Sequence, residues 1–575
     1  MRWLRTDRWL GHDLLIGDCD VLIIGGGFAG LMAARAAAPQ VGRTLVVAKG
    51  FAGADGVSAF AGGIVVYLLP EDDWDGFLAE HARHSEGLAH PEAVRQVVAT
   101  AARLLTDLAR TGAPLERAAS GQLVRRRLPV AGRRSVPRLG FESVGLARCL
   151  RQLAIRAGAR FLDQTVITAL RRGADGTFWA VGCQRQQGGL VAIRARAVVL
   201  AAGGCSWRGA HMGQHNVMGD ACALALEAGA DLAGMEFCSS YLATCALFDT
   251  HGQCVLAALG GRLRNRLGED ILARYGFDQP AATHQVALAM LAELAAGRGP
   301  ITFDLTGIPP ASRQDWEAHF ALVSRGLRRL GRDVFRDPVP WLPGFTGSIA
   351  GGGGVRTRSL AGDTVVPGLF VAGDAAVRVP VVGAGSGITF LNVAWALASG
   401  HWAGLAAGRW ASPSAAAPDR EALAQALQAT LAPLADQPVG DPGALLRALQ
   451  RLVVDPQINF FRTAAGLEAA TEQLRALWPA IAAARAVDWH GLVRLHELRS
   501  AALTAMAGFQ SARARSETRG WHRRQDHPDR DPGLDDVWSV ARLADPADHP
   551  GDFTITFQRL TDPAVFSPRP PEEAS

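Results

Sequence analysis

The sequence predicts an α/β fold containing a Rossmann-like nucleotide-binding domain that an insertion divides. An apolar run over 20–24 is typical of a buried parallel strand, and glycines and a helix-compatible segment follow it directly. A second apolar run, 44–48, comes after that helix and completes a β-α-β unit. A further strand-like run over 367–376 lies far downstream of the others, so we predict that the domain is interrupted.

The loop after the first strand fits the pattern G-x-G-x-x-G at Gly25, Gly27 and Gly30. The first glycine permits the tight turn, the second lets the backbone approach a pyrophosphate, and the third lets helix and strand pack closely. Phe28 and Ala29 open the helix, whose unpaired N–H groups and positive dipole end favour an anionic phosphate. The segment therefore predicts dinucleotide binding.

The second strand ends in Ala48-Lys49, where a nicotinamide-binding domain has an acidic residue for the ribose. This difference favours a flavin-binding relative, in which other loops share the contacts with the adenosine. A small-residue turn over 57–64, a strand over 197–204 that ends in paired glycines, and the Gly-Asp steps at 219–220 and 373–374 supply such loops. The predicted cofactor contacts in these segments are Lys49, Ser58, Ala59, Gly62, Gly63, Ala202, Gly203, Asp220, Gly373 and Asp374.

Composition narrows the class of protein. Hydrophobic residues make up 49% and charged residues 20%, which excludes a largely disordered chain. A net charge of +5 over 575 residues does not indicate a nucleic-acid or membrane surface. The eight cysteines form no C-x-x-C pair, so we expect no metal or iron–sulfur site in this chain.

Two segments bear on location. Residues 1–18 lack the apolar core of a signal peptide, so we expect a cytoplasmic protein with reduced thiols. The segment 388–407 is as long as a membrane-spanning helix, but Asn392, Gly400 and His401 are among the residues that interrupt it. We therefore predict no membrane insertion.

With these segments in place, the sequence resembles the flavoprotein family of succinate dehydrogenase, fumarate reductase, L-aspartate oxidase and adenylylsulfate reductase. The resemblance extends from Asp20 to about Trp538. Its most specific part is Ser511–Asp526, which is similar to the S-A-x-x-R-x-E-S-R-G-x-H-x-R-x-D motif of the carboxy-terminal domain of that family.

The resemblance implies FAD as cofactor and a three-part architecture. The FAD-binding domain would occupy 1–235 and 350–412, with an α+β capping domain inserted at 236–349. A helical domain at 413–545 and a tail at 546–575 would follow. In the respiratory enzymes of the family the covalent link to FAD is made by a histidine, which Gly56 replaces here, so we expect FAD to be bound without a covalent bond.

Four groups that bind the dicarboxylate substrate in the family are missing from this sequence. Tyr241 stands at a histidine position and Ala257 at the position of the arginine that transfers the proton. The segment 346–354 has no histidine, and 382–387 has no arginine. Succinate, fumarate and aspartate are therefore poor candidates for the substrate, because paired carboxylates need fixed cations.

The loop 381–387 resembles the element that directs a helix start at the flavin ring, where Ser386 and Thr389 are further predicted cofactor contacts. Tyr241, His251 and Arg262 are the predicted proton-transfer residues, with Arg264 as a further candidate. Two cysteines, Cys238 and Cys245, flank Tyr241 in the sequence. Their thiols are candidates for exchange with the flavin, and the alternative is an ordinary buried role.

These observations predict an FAD-dependent oxidoreductase that transfers a hydride between a small organic substrate, not a dicarboxylate, and the flavin N5. An alternative is a flavin electron-transfer subunit that works with an iron–sulfur, ferredoxin-like partner chain. A third possibility is a scaffold that keeps FAD for structure alone.

Overall fold

The structure, a computed structural model, describes residues 4–129, 135–209, 213–248, 260–277, 281–319, 321–385, 391–411, 417–544 and 551–572. In chain order the strands of these segments are β1 (Leu4–Trp9), β2 (His12–Ile24), β3 (Thr44–Val47), β4 (Ile64–Val66), β5 (Arg125–Pro129), β6 (Ser135–Gly140), β7 (Arg160–Leu162), β8 (Thr165–Arg172), β9 (Phe178–Gln184), β10 (Leu190–Leu200), β11 (Leu232–Ala233), β12 (Tyr241–Cys245), β13 (Arg262–Arg264), β14 (Ile301–Asp304), β15 (Val339–Phe345), β16 (Gly354–Val355), β17 (Leu369–Val371), β18 (Val537–Leu543) and β19 (Phe553–Arg559).

The α-helices of the same segments are α1 (Phe28–Ala37), α2 (Gly56–Ala59), α3 (Trp74–Ser85), α4 (Pro91–Arg110), α5 (Ser143–Arg156), α6 (Asp220–Glu227), α7 (Ile271–Arg274), α8 (Thr283–Ala295), α9 (Pro310–His319), α10 (Ala321–Arg329), α11 (Val379–Val382), α12 (Leu391–Trp410), α13 (Arg420–Leu431), α14 (Pro442–Val454), α15 (Pro456–Asn459), α16 (Ala464–Ala483) and α17 (Trp489–Ala514).

The main sheet has the order β7-β3-β2-β10-β9-β8, and β17 pairs with the carboxyl half of β10. β2 runs parallel to β3 and to β10, and Val198 of β10 is in register with Leu369 of β17. The predicted α/β fold class is confirmed, and a late strand completes the early sheet as predicted. β2 begins earlier than predicted because its first half pairs with β1 and with the start of β10.

The long apolar segment near residue 400 forms α12, which packs against α1. A Cβ at Gly400 or Gly404 would clash with the backbone of Ala29 or Ala33, so these glycines let the two helices approach closely. Burial against α1 therefore accounts for the apolar composition of α12. Across the described segments, no helix combines the length and the apolar character needed to cross a membrane.

The inserted region is built on the antiparallel sheet β12-β15-β14-β13, and α8 packs on this sheet through Val286 and Met290. Its strands lie between residues 241 and 345. We call this region the cap. The exact domain boundaries stay a prediction.

The carboxy-terminal region consists of α13–α17, and α16 packs along the long helix α17. The sheet β16-β11-β18-β19 joins this region to both parts of the nucleotide-binding domain. The predicted tail contributes β19, and the N–H of Ser567 donates to the carbonyl of Arg358 at 2.8 Å. The segment around Ser567 is thus docked on the nucleotide-binding domain.

Candidate cofactor and substrate site

A cavity of about 330 Å³ opens at the carboxyl ends of the parallel strands, where this fold class binds nucleotides. Its walls come from the glycine loop, from the ends of β3, β10 and β17, and from the cap. Of the predicted cofactor contacts, those that line it are Gly25, Gly27, Phe28, Ala29, Lys49, Ser58, Gly62, Ala202, Gly203, Asp220, Gly373 and Asp374.

The glycine loop has the geometry that its sequence predicts. Gly25 has a φ of +124°, and a Cβ there would clash with the carbonyl of Ala201. A Cβ at Gly30 would clash with the carbonyl of Gly25, which places the first turn of α1 directly on the loop. At the helix start, the N–H of Phe28 donates to Ser58 Oγ at 3.1 Å. The loop therefore presents bare backbone to the cavity.

The other predicted contacts fall elsewhere. Gly30, Ala59 and Gly63 belong to the loops and helices that form the wall, but they do not line the cavity themselves. Ser386 and Thr389 lie outside the described residues.

Lys49 forms a buried network at one end of the cavity. Its Nζ donates to Asp220 Oδ2 at 2.6 Å and to Glu497 Oε1 at 3.0 Å, and Glu497 also pairs with Arg208. Burial lowers the pKa of Lys49, but the two carboxylates raise it above its ordinary value. The amine is therefore a fixed cation, held by α6 and α17.

Arg378 is a second buried cation, and the sequence alone did not indicate it. Nη1 donates to Asp374 Oδ1 at 2.9 Å. Nη2 donates to the carbonyls of Ser348, Ile349 and Gly351 at 2.5, 2.9 and 2.6 Å. Because Asp374 and Ile349 line the cavity, this one guanidinium fixes two parts of its wall. Burial raises the pKa of Asp374 above its ordinary value, although Arg378 lowers it.

Replacing Arg378 by lysine should weaken FAD binding about tenfold, because an ammonium lacks the planar fork that reaches all four acceptors. Each lost hydrogen bond of this kind costs about 1 kcal/mol, and about 1.4 kcal/mol corresponds to tenfold in affinity. Titration of the apoprotein with FAD, followed by quenching of flavin fluorescence, measures the change. The exposed Arg358→Lys is the control. Equal affinity in the two variants would contradict this role for Arg378.

The end of the cavity under the cap is uncharged. Leu242 and Thr283 line it from the cap, and Thr346, Ile349 and Ala350 line it from the segment that follows the last strand of the cap. Thr346 Oγ1 is already paired with Ser240 Oγ at 2.8 Å. Sequence reasoning missed these residues because no local pattern marks them, and only the placement of the cap brings them to the cavity.

The structure does not bring Tyr241, Arg262 or Arg264, the predicted proton-transfer residues that it describes, to this end. The hydroxyl of Tyr241 donates to the carbonyl of Val454 at 2.9 Å, and burial raises its pKa well above its ordinary value. Arg262 is half exposed and pairs with Asp270 at 2.9 Å, while Arg264 pairs with Asp304. His251 lies outside the described residues, as does Ala257. The placement of Tyr241 and Arg262 favours structural roles for both.

The two cysteines considered for exchange with flavin do not line the cavity. Burial raises the pKa of Cys238 well above its ordinary value, and that of Cys245 is raised for the same reason. Both therefore fit the ordinary buried role. Among the described residues, no group of three or more histidine, cysteine or acidic side chains could hold a metal ion.

The motif at 511–526 is a buried charge network and not a basic surface strip. Arg515, Glu517 and Arg519 are fully buried, and Arg524 forms a two-pronged pair with Asp526 at 2.7 and 2.9 Å. The motif is therefore a structural feature of the carboxy-terminal region.

The cavity fits FAD. The bare loop beside the start of α1 suits a pyrophosphate. Gln214 lines the same cavity, and its Oε1 is buried without a hydrogen-bond partner among the described residues, which suits a donor from a ligand. A nucleotide-binding sheet with such a cavity, covered by a cap, defines an FAD-dependent oxidoreductase.

Comparisons with known proteins specify the family. The FAD binding domain family model matches residues 20–390, and the model for the carboxy-terminal region of the fumarate reductase flavoprotein matches residues 447–573. The chain belongs to the FAD-dependent flavoprotein family of succinate dehydrogenase, fumarate reductase, L-aspartate oxidase and adenylylsulfate reductase.

Individual relatives match along most of their length. L-aspartate oxidase of Mycobacterium tuberculosis is 30% identical over 525 residues, which cover 88% of this chain and 92% of the relative. The mitochondrial succinate dehydrogenase flavoprotein subunit of Oryza sativa is 26% identical over 572 residues, with 90% of this chain and 86% of the relative covered. The solved quinol fumarate reductase flavoprotein of E. coli superposes with a TM-score of 0.81 at 20% identity, covering 95% and 97%, and shows the same fold.

Proposed function

We propose that this protein uses non-covalently bound FAD to oxidise or reduce a small organic molecule that is not a dicarboxylate. When bound, FAD supplies a two-electron acceptor or donor that exchanges a hydride with a substrate carbon through its N5. The observation that carries the proposal is the uncharged lining under the cap, formed by Leu242, Thr283, Thr346, Ile349 and Ala350.

The charges elsewhere on the wall support this proposal. Among the described lining residues, the charged ones are Lys49, Asp55, Asp220 and Asp374. The Lys49 amine is held by Asp220, so the one described cation on the wall is already neutralised. The Arg378 guanidinium behind Ile349 is already bonded to Asp374 and to three carbonyls. A dicarboxylate would therefore place two negative charges where no described lining residue supplies a free cation, and burying unpaired charge is costly.

Anaerobic bleaching of the bound flavin tests this proposal. We expect succinate and L-aspartate to leave the flavin absorbance unchanged, while a neutral or singly charged compound bleaches it. Succinate, its monoamide and its diamide form a matched series with the same skeleton and two, one and no charges. Rapid bleaching by succinate or L-aspartate would overturn the proposal.

Chemical reduction provides the control for that experiment. Dithionite should bleach the flavin and air should restore it, whatever the substrate. A flavin that resists reduction would favour the scaffold role and contradict an oxidoreductase.

A second candidate function is an electron-transfer subunit with an iron–sulfur partner chain. The observation that favours it is the match, over 90% of this chain, to a relative named as the flavoprotein subunit of succinate dehydrogenase. Anaerobic purification of the native protein tests it: a co-purifying chain that contains iron and acid-labile sulfide supports this function, and a chain that purifies alone with full substrate activity contradicts it.

A further inference from the structure

A buried histidine of the cap lies beside the substrate end of the cavity with one ring nitrogen unpaired. His284 is the second residue of α8 and directly follows Thr283, which lines the cavity. The residue is 5% exposed, and its Nδ1 is buried without a hydrogen-bond partner among the described residues. An unpaired polar atom in such a place is costly unless a ligand satisfies it.

The other ring nitrogen is paired with a carboxylate. His284 Nε2 lies 3.2 Å from Glu86 Oε1, and the N–H of Gly520 donates to Glu86 Oε2 at 2.9 Å. Because a carboxylate accepts hydrogen bonds, the proton of neutral His284 resides on Nε2, and Nδ1 presents a lone pair. The Glu86 side chain is 26% exposed, so it connects the histidine to solvent.

The free nitrogen faces the loop that the sequence assigns to the flavin ring. A Cβ at Gly385 would lie 2.8 Å from His284 Nδ1 and from Cε1, so a side chain there would cover this edge of the imidazole. Thr283 Oγ1 donates to the carbonyl of the same Gly385 at 3.5 Å. The glycine thus leaves no side chain over the buried Nδ1 at the point where cap and nucleotide-binding domain meet.

We propose that His284 exchanges a proton with the substrate and that Glu86 relays this proton to solvent. The proposal rests on the proposed function. In the direction of oxidation the substrate loses two electrons and two protons. One proton leaves with the electron pair as a hydride to FAD, and the other passes to Nδ1. The Nε2 proton then moves to Glu86 and to water, which leaves the Nδ1–H tautomer. Before the next turnover the ring returns to the Nε2–H tautomer by releasing the Nδ1 proton and taking one proton back at Nε2, and reduction reverses each transfer.

Charged and aromatic groups surround the His284–Glu86 pair. His84 faces His284 from α3, Arg519 and Arg523 face Glu86, and the Trp521 ring covers the imidazole edge-on at 6.2 Å. Burial raises the pKa of Glu86, but hydrogen bonds from His284 and Gly520 and the charge of Arg519 outweigh it and hold the pKa below its ordinary value.

Glu86 is therefore an anion at neutral pH and stabilises the protonated imidazole. Glu86→Gln removes the anion that faces the Nε2 proton and should slow the bleaching of the flavin.

The test uses the holoenzyme and whichever panel compound bleaches the flavin. His284→Gln should slow bleaching about 100-fold, the usual contribution of a positioned acid or base, with FAD content and dithionite bleaching unchanged. His90→Gln is the matched control, because His90 is also partly buried with an unpaired Nδ1 but packs against Phe566. Bleaching by His284→Gln within about threefold of the unmodified enzyme, with the same pH profile, would overturn the proposal.

A second readout does not depend on the substrate. In protein labelled with ¹⁵N at its 15 histidines, the signal missing from His284→Gln identifies this residue. We expect the Nε2–H tautomer in the unmodified protein and a changed Nε2 chemical shift in Glu86→Gln, because Nε2 faces Glu86 Oε1 at 3.2 Å. An Nδ1–H tautomer, or a signal that Glu86→Gln does not move, would overturn the proton path. If no panel compound bleaches the flavin, the proposed function fails, and this measurement still decides the role of His284.

Discussion

Gly30→Ala should weaken FAD binding about 10- to 100-fold. The added methyl group would clash with the carbonyl of Gly25, an atom of the cofactor loop itself, so relief of the clash must move that loop. Overpacking at a rigid site costs about 1–3 kcal/mol, and about 1.4 kcal/mol corresponds to tenfold in affinity. The FAD retained after gel filtration and a fluorescence titration of the apoprotein measure the loss.

Gly508→Ala is the control for that experiment. Gly508 lies within α17, and the nearest atom that a Cβ there would meet is the carbonyl oxygen of Met235 at 3.7 Å, an ordinary contact. Alanine at this position should leave FAD binding unchanged and slightly stabilise the helix. Normal FAD affinity in Gly30→Ala would show that the close approach of α1 to the loop is not needed for the cofactor.

The cofactor half of the site could be predicted because its determinants are local. The turn at Gly25, the contact between Gly30 and that turn, and the start of α1 all lie within one short motif. Lys49 and Asp374 come two and three residues after the ends of the apolar strands β3 and β17, which places them at the carboxyl edge of the sheet. Such positions are fixed once the strands are recognised.

The substrate half could not be predicted because its determinants are distant in the sequence. The resemblance to the family places Tyr241 at a substrate position, but the direction of a side chain decides its contacts, and the Tyr241 hydroxyl donates to the carbonyl of Val454. Arg378 acts on carbonyls that approach it only in the folded chain. His284 meets Glu86 only because the cap folds back onto the end of α3.

The carboxy-terminal motif shows a different limit. Its residue order identified the family, but the order does not show whether the charges face solvent or the interior. The structure buries Arg515, Glu517 and Arg519 completely, and it supplies Glu236, from just before the cap, as a further partner of Arg515 at 3.2 Å. Sequence similarity therefore located the motif, and its physical role required the fold.

Glu517→Gln should lower the apparent melting temperature of the holoenzyme by about 6–10 °C. The Glu517 carboxylate accepts from Arg515 Nε at 2.7 Å and from Arg519 Nε and Nη2 at 2.7 and 2.8 Å. Glutamine removes the negative charge and turns an amide N–H₂ toward a guanidinium. Breaking a buried pair costs about 3–5 kcal/mol, and a chain of this size loses roughly 2 °C per kcal/mol.

The pH dependence of this stabilisation follows from the pKa of Glu517. Burial raises that pKa, but the hydrogen bond from Arg519 and the charge of Arg515 hold it below its ordinary value. A carboxyl whose pKa is depressed on folding contributes stability above its unfolded pKa and loses it as the pH falls through the folded value. The difference in melting temperature between Glu517→Gln and the unmodified protein should therefore be full at pH 7 and should shrink in acid.

Glu472→Gln separates this effect from the simple loss of a charge. Glu472 is 57% exposed and pairs with Arg475 one helical turn away on α16, a contact worth about 0.3–0.5 kcal/mol. Its replacement should shift the melting temperature by about 1 °C or less.

Because Arg515 also holds Glu236 at the base of the cap, Glu517→Gln should release FAD at a lower temperature as well. Equal melting temperatures in the two variants would show that the buried network adds no stability, and its arginines would then need another explanation.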